Sequence, residues 1–531
     1  MKVSLSSTIR MRQLLLPTII AAVLFIPWLG EALFYSKGEP REAIVAVSML
    51  DSGDWILPVS YGEDIPYKPP FMAWLIAICA IVFNGGVVNE FISRLPSALA
   101  AIALLVSTWR LIAANFSTKA AWRVMLILAT MFEFFRAAVA CRVDMILTTC
   151  MIGGLYALYT AGGSPKRILW AILLFSGATL TKGPVGTLLP CLAFGVYSLL
   201  SGRNFLKTCI QLTLIALASF ILPACWYWLA YQQGGASFGE LAWEENIGRL
   251  TGTMSYDSHI NPWYYNIITL LSGMLPWTVI IVIGAFYKRI RNVYSLKLIK
   301  SDFPLFCTCI FITVLIFYCI PASKRSVYLL PCYPFLAVGA GFLLGKLAET
   351  RLTRIWAIIL AIIAVIAPII LIIAQNVHIK GVTLANPGFI GWTVAAMSSL
   401  AGLWWLFTRS TRANGLAGSI GLTYLVMIAY NSTYMPAAVN PKSDRHIAQT
   451  ILNELPENAK IESEIPQDRL LRYYSLNFYL GDRIRRAETS TENRNEVWIL
   501  TSEPNDSSES KLLTNRSADT RQPVYLVYPN N

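Results

Sequence analysis

Apolar stretches free of Asp, Glu, Lys and Arg recur along this chain at 13–30, 69–89, 95–109, 145–165, 168–181, 183–202, 208–239, 258–287, 303–323, 326–345, 355–379, 381–408 and 413–441. A further mostly apolar stretch at 124–143 carries Glu133, Arg136 and Arg142. Most of these approach the roughly 20 residues that a helix needs to cross a bilayer. The pattern predicts a polytopic α-helical membrane protein with about 13 transmembrane helices. Residues 69–109 read as two helices that contribute one net crossing, one of them bent or re-entrant. The run from Gln13 to Gly30 lacks a small-residue cleavage site and reads as a retained first helix rather than a signal peptide.

After residue 441 the pattern changes. Ser443-Asp444 can cap a helix with Ile447, Ile451, Leu452 and Leu455 at helical spacing. "VWILTSE" (Val497–Glu503) and "PVYLVY" (Pro523–Tyr528) read as strands, with "NDSSESK" between them as a mobile loop. Two domains follow: a membrane domain over 1–441, with long loops at 35–69 and 232–262, and a small soluble α/β domain over 442–531.

Composition agrees. Of 531 residues 55% are hydrophobic and 14% charged, with a mean hydropathy of +0.54. Residues 442–531 hold 12 Lys/Arg against 14 Asp/Glu, a net −2, so +15 of the overall +13 falls on residues 1–441. That basic excess sits in connectors, which argues for cytoplasmic loops and against nucleic-acid binding. The basic connectors are 1–12, 110–123, 164–167, 203–207, 288–300, 346–354 and 409–412. The positive-inside rule puts them in the cytoplasm. Alternation then places loop 35–69, Asp144, the turn at Lys182, loop 232–262, the turn at Lys324-Arg325 and the C-terminal domain outside. All ten cysteines lie between Cys79 and Cys332, in or beside apolar stretches, with no zinc-type spacing.

The outer face collects charge that a plain connector does not need. Loop 35–69 alone carries Glu39, Arg41, Glu42, Asp51, Asp54, Glu63, Asp64 and Lys68. With Asp144, Lys182, Lys324 and Arg325 it makes a set of cations with acids nearby. Single cations at a membrane boundary are usually snorkelling anchors. Several at outward turns suit a lipid-linked phosphate, because Arg grips oxygens in a fork and Lys supplies a point charge. Glu39 and Asp144 are the candidate carboxylates for a general base. The plain alternatives are an ion pair of Glu39 with Arg41 and a helix-capping role for Asp144. Glu133 and Arg136, three apart, read as a structural pair inside the membrane.

The ordered motifs "EPRE", "SGDWILP", "YKPP", "RLPSAL", "DMILT", "TKGP", "ENIGRL", "HINPWYY", "LPW" and "SKRSVYLLP" span nearly the whole chain. In this order they resemble the aminoarabinose lipid A transferases and their relatives in the protein O-mannosyltransferase superfamily, the GT-C glycosyltransferases. The resemblance implies an enzyme of the bacterial inner membrane with its C-terminal domain in the periplasm. It implies transfer of a sugar from an undecaprenyl-phosphate donor to lipid A, another glycan or a protein. It assigns the lipid phosphate to Arg41, Lys68 and Tyr328, with Lys182 and Lys324 as additions. The acidic pair that the family carries before Arg41 is Gly38-Glu39 here, so the carboxylate role passes to Glu39 first and Asp144 second. A metal in the family joins His259 to an acid before the loop lysine; that position is Tyr67, so no metal is assigned and no cofactor is expected beyond a divalent ion at His259. A transporter or flippase of a lipid-linked sugar is the alternative from another class, and a structural assembly protein the third.

Overall fold

The computed structural model describes residues 11–62, 64–66, 68–248, 260–286, 301–321, 323–377, 383–408, 415–456, 459–464, 473–486, 497–503, 510–518 and 521–528. Six helical stretches are each long and apolar enough to cross a membrane: Glu90–Asn115, Phe205–Gly248, Asp302–Cys319, Ser326–Leu347, Arg351–Asn376 and Gly388–Thr408. Two more candidates are bent pairs, Phe132–Ala138 with Val143–Tyr159 at 109° and Tyr265–Gly273 with Trp277–Ala285 at 106°. Shorter apolar helices, among them Phe71–Asn84 and Val185–Leu200, pack between them. Among the described residues, length and composition alone pick out six spans, or up to eight if each bent pair is one. The shorter apolar helices, and the 18-residue Pro165–Lys182 with its three basic residues, fall outside that count.

The region 69–109 does form two helices, Phe71–Asn84 and Glu90–Asn115, joined at Gly85-Gly86. Asn89 caps the second by accepting from the Ile92 amide. The described part of loop 232–262 up to Gly248 is helical. The helix from Phe205 continues to Trp243 through a break at Gly235, and a π-helical turn follows over Glu244–Gly248.

The first outer loop also contains a helix, Pro40–Ser52, that the charge pattern concealed. Pro40 stands at its first turn, where a missing N–H costs nothing, and Gly53 ends it at φ 72. Ala43, Ile44, Ala46 and Met49 are buried. Burying Ile44 and Met49 stabilises this docking by roughly 1.5–3 kcal/mol each. The rest of the loop is pinned from the other side. Trp226 Nε1 donates to the Ile56 carbonyl (3.0 Å), and Leu57 packs with Trp226 and Phe238.

The described C-terminal unit holds two helices, Arg445–Glu454 and Tyr474–Tyr479, with a five-stranded sheet. Its strands are β1 (Lys460–Ser463), β2 (Ile484–Arg486), β3 (Val497–Thr501), β4 (Ser510–Thr514) and β5 (Val524–Val527), in the order β2-β1-β3-β5-β4. β1 runs parallel to β2 and β3, and β5 is antiparallel to β3 and β4. The end of the expected loop "NDSSESK" is thus the start of β4. Asp444 precedes helix Arg445–Glu454 without capping it. Its carboxylate instead accepts from the Ala518 amide (2.8 Å) and the Ser517 hydroxyl (3.3 Å). Leu452, expected on the apolar face, is 41% exposed, whereas Ile447, Ile451 and Leu455 are buried.

This unit sits on the first outer loop. Asp482 accepts from Ser48 Oγ (2.9 Å) and the Tyr61 amide (2.9 Å), and Tyr479 accepts from the amide of Phe34, just ahead of the loop (2.9 Å). Loop and unit therefore share one end of the molecule, as the charge alternation required.

Candidate active site

Two ion-pair systems organise the site beneath the first outer loop. In one, Glu39 lies just ahead of helix Pro40–Ser52 and faces Arg94, which is buried in helix Glu90–Asn115. Arg94 Nε and Nη2 donate to the two Glu39 oxygens at 2.8 and 3.0 Å. The Cys141 amide adds a third bond to Glu39 at 2.8 Å. Arg94 Nη1 also donates to the Leu29 (2.7 Å) and Ala32 (2.5 Å) carbonyls. Burial alone would raise the Glu39 carboxyl, but Arg94 and the Cys141 amide outweigh it and hold the group below its ordinary range. Glu39 is thus a cross-link between the loop, helix Glu90–Asn115 and the connector ahead of helix Val143–Tyr159. Its partner is Arg94, not Arg41.

The second system runs from Arg41 to Tyr328. Buried Glu42 pairs with Lys68 and, at 3.6 Å, with Arg41. Burial pushes the Lys68 ammonium below its ordinary value, against the pull of Glu42. Asp144, in the first turn of helix Val143–Tyr159, accepts from Lys182 Nζ at 2.6 Å. Lys182 also lies over the Tyr328 ring, 4.2 Å from its centroid, and Tyr328 packs on Tyr318 at 5.6 Å. Lys182 is the last residue of its helix, and Gly183 follows at φ 80. A Cβ on Gly183 would come within 2.0 Å of Asn246 Oδ1, so glycine lets the π-helical turn close over the lysine.

Lys68, Lys182 and Tyr328 line one cavity of about 290 Å³. Its remaining walls are largely apolar, with Val185, Leu188, Leu189, Ile247 and Phe317. A second, smaller cavity lies across Lys68 and is lined by Arg41, Glu42, Asp64 and Tyr474 of the C-terminal unit. Lys68 borders both chambers, and the smaller one adds Arg41, Glu42 and Asp64 to a lining that is otherwise mostly apolar, with Ile44, Val45, Ile56, Ile65 and Trp226.

Of the other expected residues, Lys324 is buried but points at backbone: its Nζ donates to the Pro321 (2.7 Å) and Asn261 (3.1 Å) carbonyls, joining two loops. Glu133 and Arg136 form the expected pair, at 2.6 Å. His259 and Tyr67 lie outside the described residues. Among the described residues no group of three His, Cys, Asp or Glu could hold a metal ion. Glu42 and Arg94 were not singled out from the sequence, though both lie in the quoted motifs. A Cβ on Gly38 would approach Arg142 Nη2 to 3.0 Å, so the position where the family carries its first acid faces a cation here.

The fold is that of a known membrane glycosyltransferase. The crystal structure of ArnT from Cupriavidus metallidurans bound to undecaprenyl phosphate matches with a TM-score of 0.74 at 20% identity, covering 96% of this chain and 97% of that one. It is a GT-C fold. The archaeal oligosaccharyltransferase AglB from Archaeoglobus fulgidus also matches, more distantly, with a TM-score of 0.52 over 92% of this chain and 68% of that one. Residues 67–228 match the family described as dolichyl-phosphate-mannose-protein mannosyltransferase. In sequence the chain is similar to an undecaprenyl phosphate-α-4-amino-4-deoxy-L-arabinose arabinosyl transferase of Proteus mirabilis, 24% identical over 80% of this chain and 76% of that protein. It is also similar to an uncharacterized protein of Aquifex aeolicus, 28% identical over 66% of this chain and 68% of that one. These likenesses bear out the resemblance read from the ordered motifs, and a transporter is not favoured.

Proposed function

We propose that the protein transfers a sugar from a polyprenyl-phosphate donor to an acceptor such as lipid A on the periplasmic side of a bacterial inner membrane. The observation that carries this reading is the shared cavity, which brings two lysines and a tyrosine together with mostly apolar walls and one acid, Glu245. A lipid phosphate needs both halves. Its oxygens draw cations that water does not fully screen, and its chain needs an apolar wall. The matched ArnT structure holds undecaprenyl phosphate. In this reading the C-terminal unit from residue 442 is periplasmic and closes the site over the first loop.

The reaction asks three things of the chain. The donor phosphate sits against Lys68 and Lys182, with Arg41 behind Lys68 and Lys324 holding the loops that carry Tyr328. An acceptor hydroxyl enters from the smaller chamber, on the Arg41 and Asp64 side of Lys68, and attacks the anomeric carbon. The bond from that carbon to the phosphate oxygen breaks, and the electron pair leaves with the polyprenyl phosphate. The hydroxyl proton passes to a carboxylate. Asp144 is better placed than Glu39 for that role, because it shares Lys182 with the phosphate site, whereas both Glu39 oxygens are held by Arg94. Lys182 steadies the charge that develops on the departing phosphate.

Purified protein in lipid, given undecaprenyl-phosphate aminoarabinose and lipid A, tests the reading. Mass spectrometry should find modified lipid A and free undecaprenyl phosphate in equal amounts. Absence of both products, also with other polyprenyl-phosphate sugars and acceptors, would reject it.

A further inference from the structure

We propose a second lipid site at the opposite end of the membrane domain, built to hold one anionic phospholipid by its headgroup phosphate. A cavity of about 810 Å³ opens between helices Val143–Tyr159, Val185–Leu200 and Phe205–Trp243. Tyr159 on its wall lies 15 residues along the same helix from Asp144, or about 22 Å at 1.5 Å per residue. The proposed sugar-transfer reaction has no use for this chamber.

Its lining is divided by polarity. Arg203, Asn204 and Lys207 stand at the mouth, around the first turn of helix Phe205–Trp243. Leu206, Ile210 and Leu214 follow at a four-residue interval, one above another on a single face, each more than half exposed. A headgroup-sized polar mouth thus leads onto an open apolar track of the kind that receives an acyl chain. The volume far exceeds what a phosphate ion fills.

An independent observation points to a ligand. Ser198 lines the cavity, is wholly buried, and its hydroxyl has no hydrogen-bond partner among the described residues. A serine within a helix ordinarily donates to the carbonyl four residues back. A phosphate or ester oxygen in the chamber would satisfy it. The one acid nearby does not oppose an anion strongly. Asp302 accepts from the Tyr197 (2.6 Å) and Tyr159 (3.0 Å) hydroxyls, and Arg203 lies over the Tyr197 ring at 5.2 Å. Lysine and arginine distribution puts connectors 164–167 and 203–207 on the cytoplasmic side. Anionic lipids give that leaflet its negative surface, and basic pockets between helices there suit their headgroups.

The test uses the delipidated full chain in detergent, titrated separately with phosphatidylglycerol and phosphatidylcholine of identical chains, with bound lipid counted by native mass spectrometry. Wild type should take one phosphatidylglycerol in clear preference to phosphatidylcholine. Lys207→Gln should weaken that lipid about fivefold, and the Arg203→Gln/Lys207→Gln pair about 25-fold. Arg203 packs on aromatic rings, so Lys207→Gln, which alters an exposed side chain, carries the test if the pair does not fold. Equal uptake of both lipids by wild type, or an unchanged preference in Lys207→Gln, would overturn the proposal. So would full displacement of the lipid by millimolar inorganic phosphate, which would make the chamber a phosphate site only.

Discussion

Arg94 is 4% exposed and donates to four oxygens: two of Glu39 on one side, the Leu29 and Ala32 carbonyls on the other. Arg94→Leu would leave the Glu39 carboxylate buried with only the Cys141 amide, at a cost of about 3–5 kcal/mol. Thermal unfolding of the purified variant should show a large drop. Stability within about 1 kcal/mol of wild type would remove the pair from its structural role. The same geometry separates the two carboxylates by function. Asp144→Asn should lower turnover by about 10²–10⁴ with donor binding retained. Glu39→Gln should act mainly through stability and leave turnover per folded molecule closer to wild type. A fully active Asp144→Asn with an inactive, folded Glu39→Gln would reverse the assignment. Glu39, Asp144, Lys68 and Lys182 were legible because charge at an outward turn of an apolar chain is conspicuous. Arg94 was not, since in sequence it only marks the border of an apolar run, and folding alone brings it under a loop 55 residues away.

At the scale of elements, the apolar helices and the two expected strands were readable from periodicity, whereas helix Pro40–Ser52 was hidden by its charges. Its signals were present in Pro40 at the first turn and Gly53 at the end. The neighbouring acids drew the reading to chemistry instead. The Arg445–Glu454 helix start shows the converse, a capping residue diverted by tertiary contacts. Burial pushes the Asp444 carboxyl from its ordinary 3.8 up to about 6, despite the Ala518 and Ser517 bonds. Because the folded value is raised, protonation favours the folded unit. That contribution is complete below about pH 4 and is lost as pH rises through about 6. Asp444→Asn keeps an acceptor for the Ala518 amide without the charge. The full-length variant should therefore gain stability over wild type at about pH 7.5, by roughly 1–3 kcal/mol, and gain little near pH 4. Calorimetry at both values measures it; an equal difference at the two would show that Asp444 does not titrate in this range.

For the whole molecule, the outward turns read from Lys and Arg converge on one site while connectors 160–164 and 201–204 lie at the other end. With the native cysteines replaced, Asp54→Cys should be labelled from the periplasmic side and Ser164→Cys from the cytoplasmic side. The reverse pattern would invert the proposed orientation. The number of crossings was less legible, because bent and short helices share the composition of full spans but not their length. The two-sided site was not legible at all. It depends on Glu42 holding Lys68 where it borders both chambers, and on the C-terminal unit supplying Tyr474. The account's central claim is that this site grips a lipid phosphate. Its most direct measurement is the affinity of the purified protein for a polyprenyl-phosphate sugar, compared with the folded Lys68→Ala/Lys182→Ala pair. Each lost charge-assisted contact should cost about 1.5–3 kcal/mol, so the pair should bind at least a hundredfold more weakly. Donor binding by that pair as tight as wild type would contradict the claim.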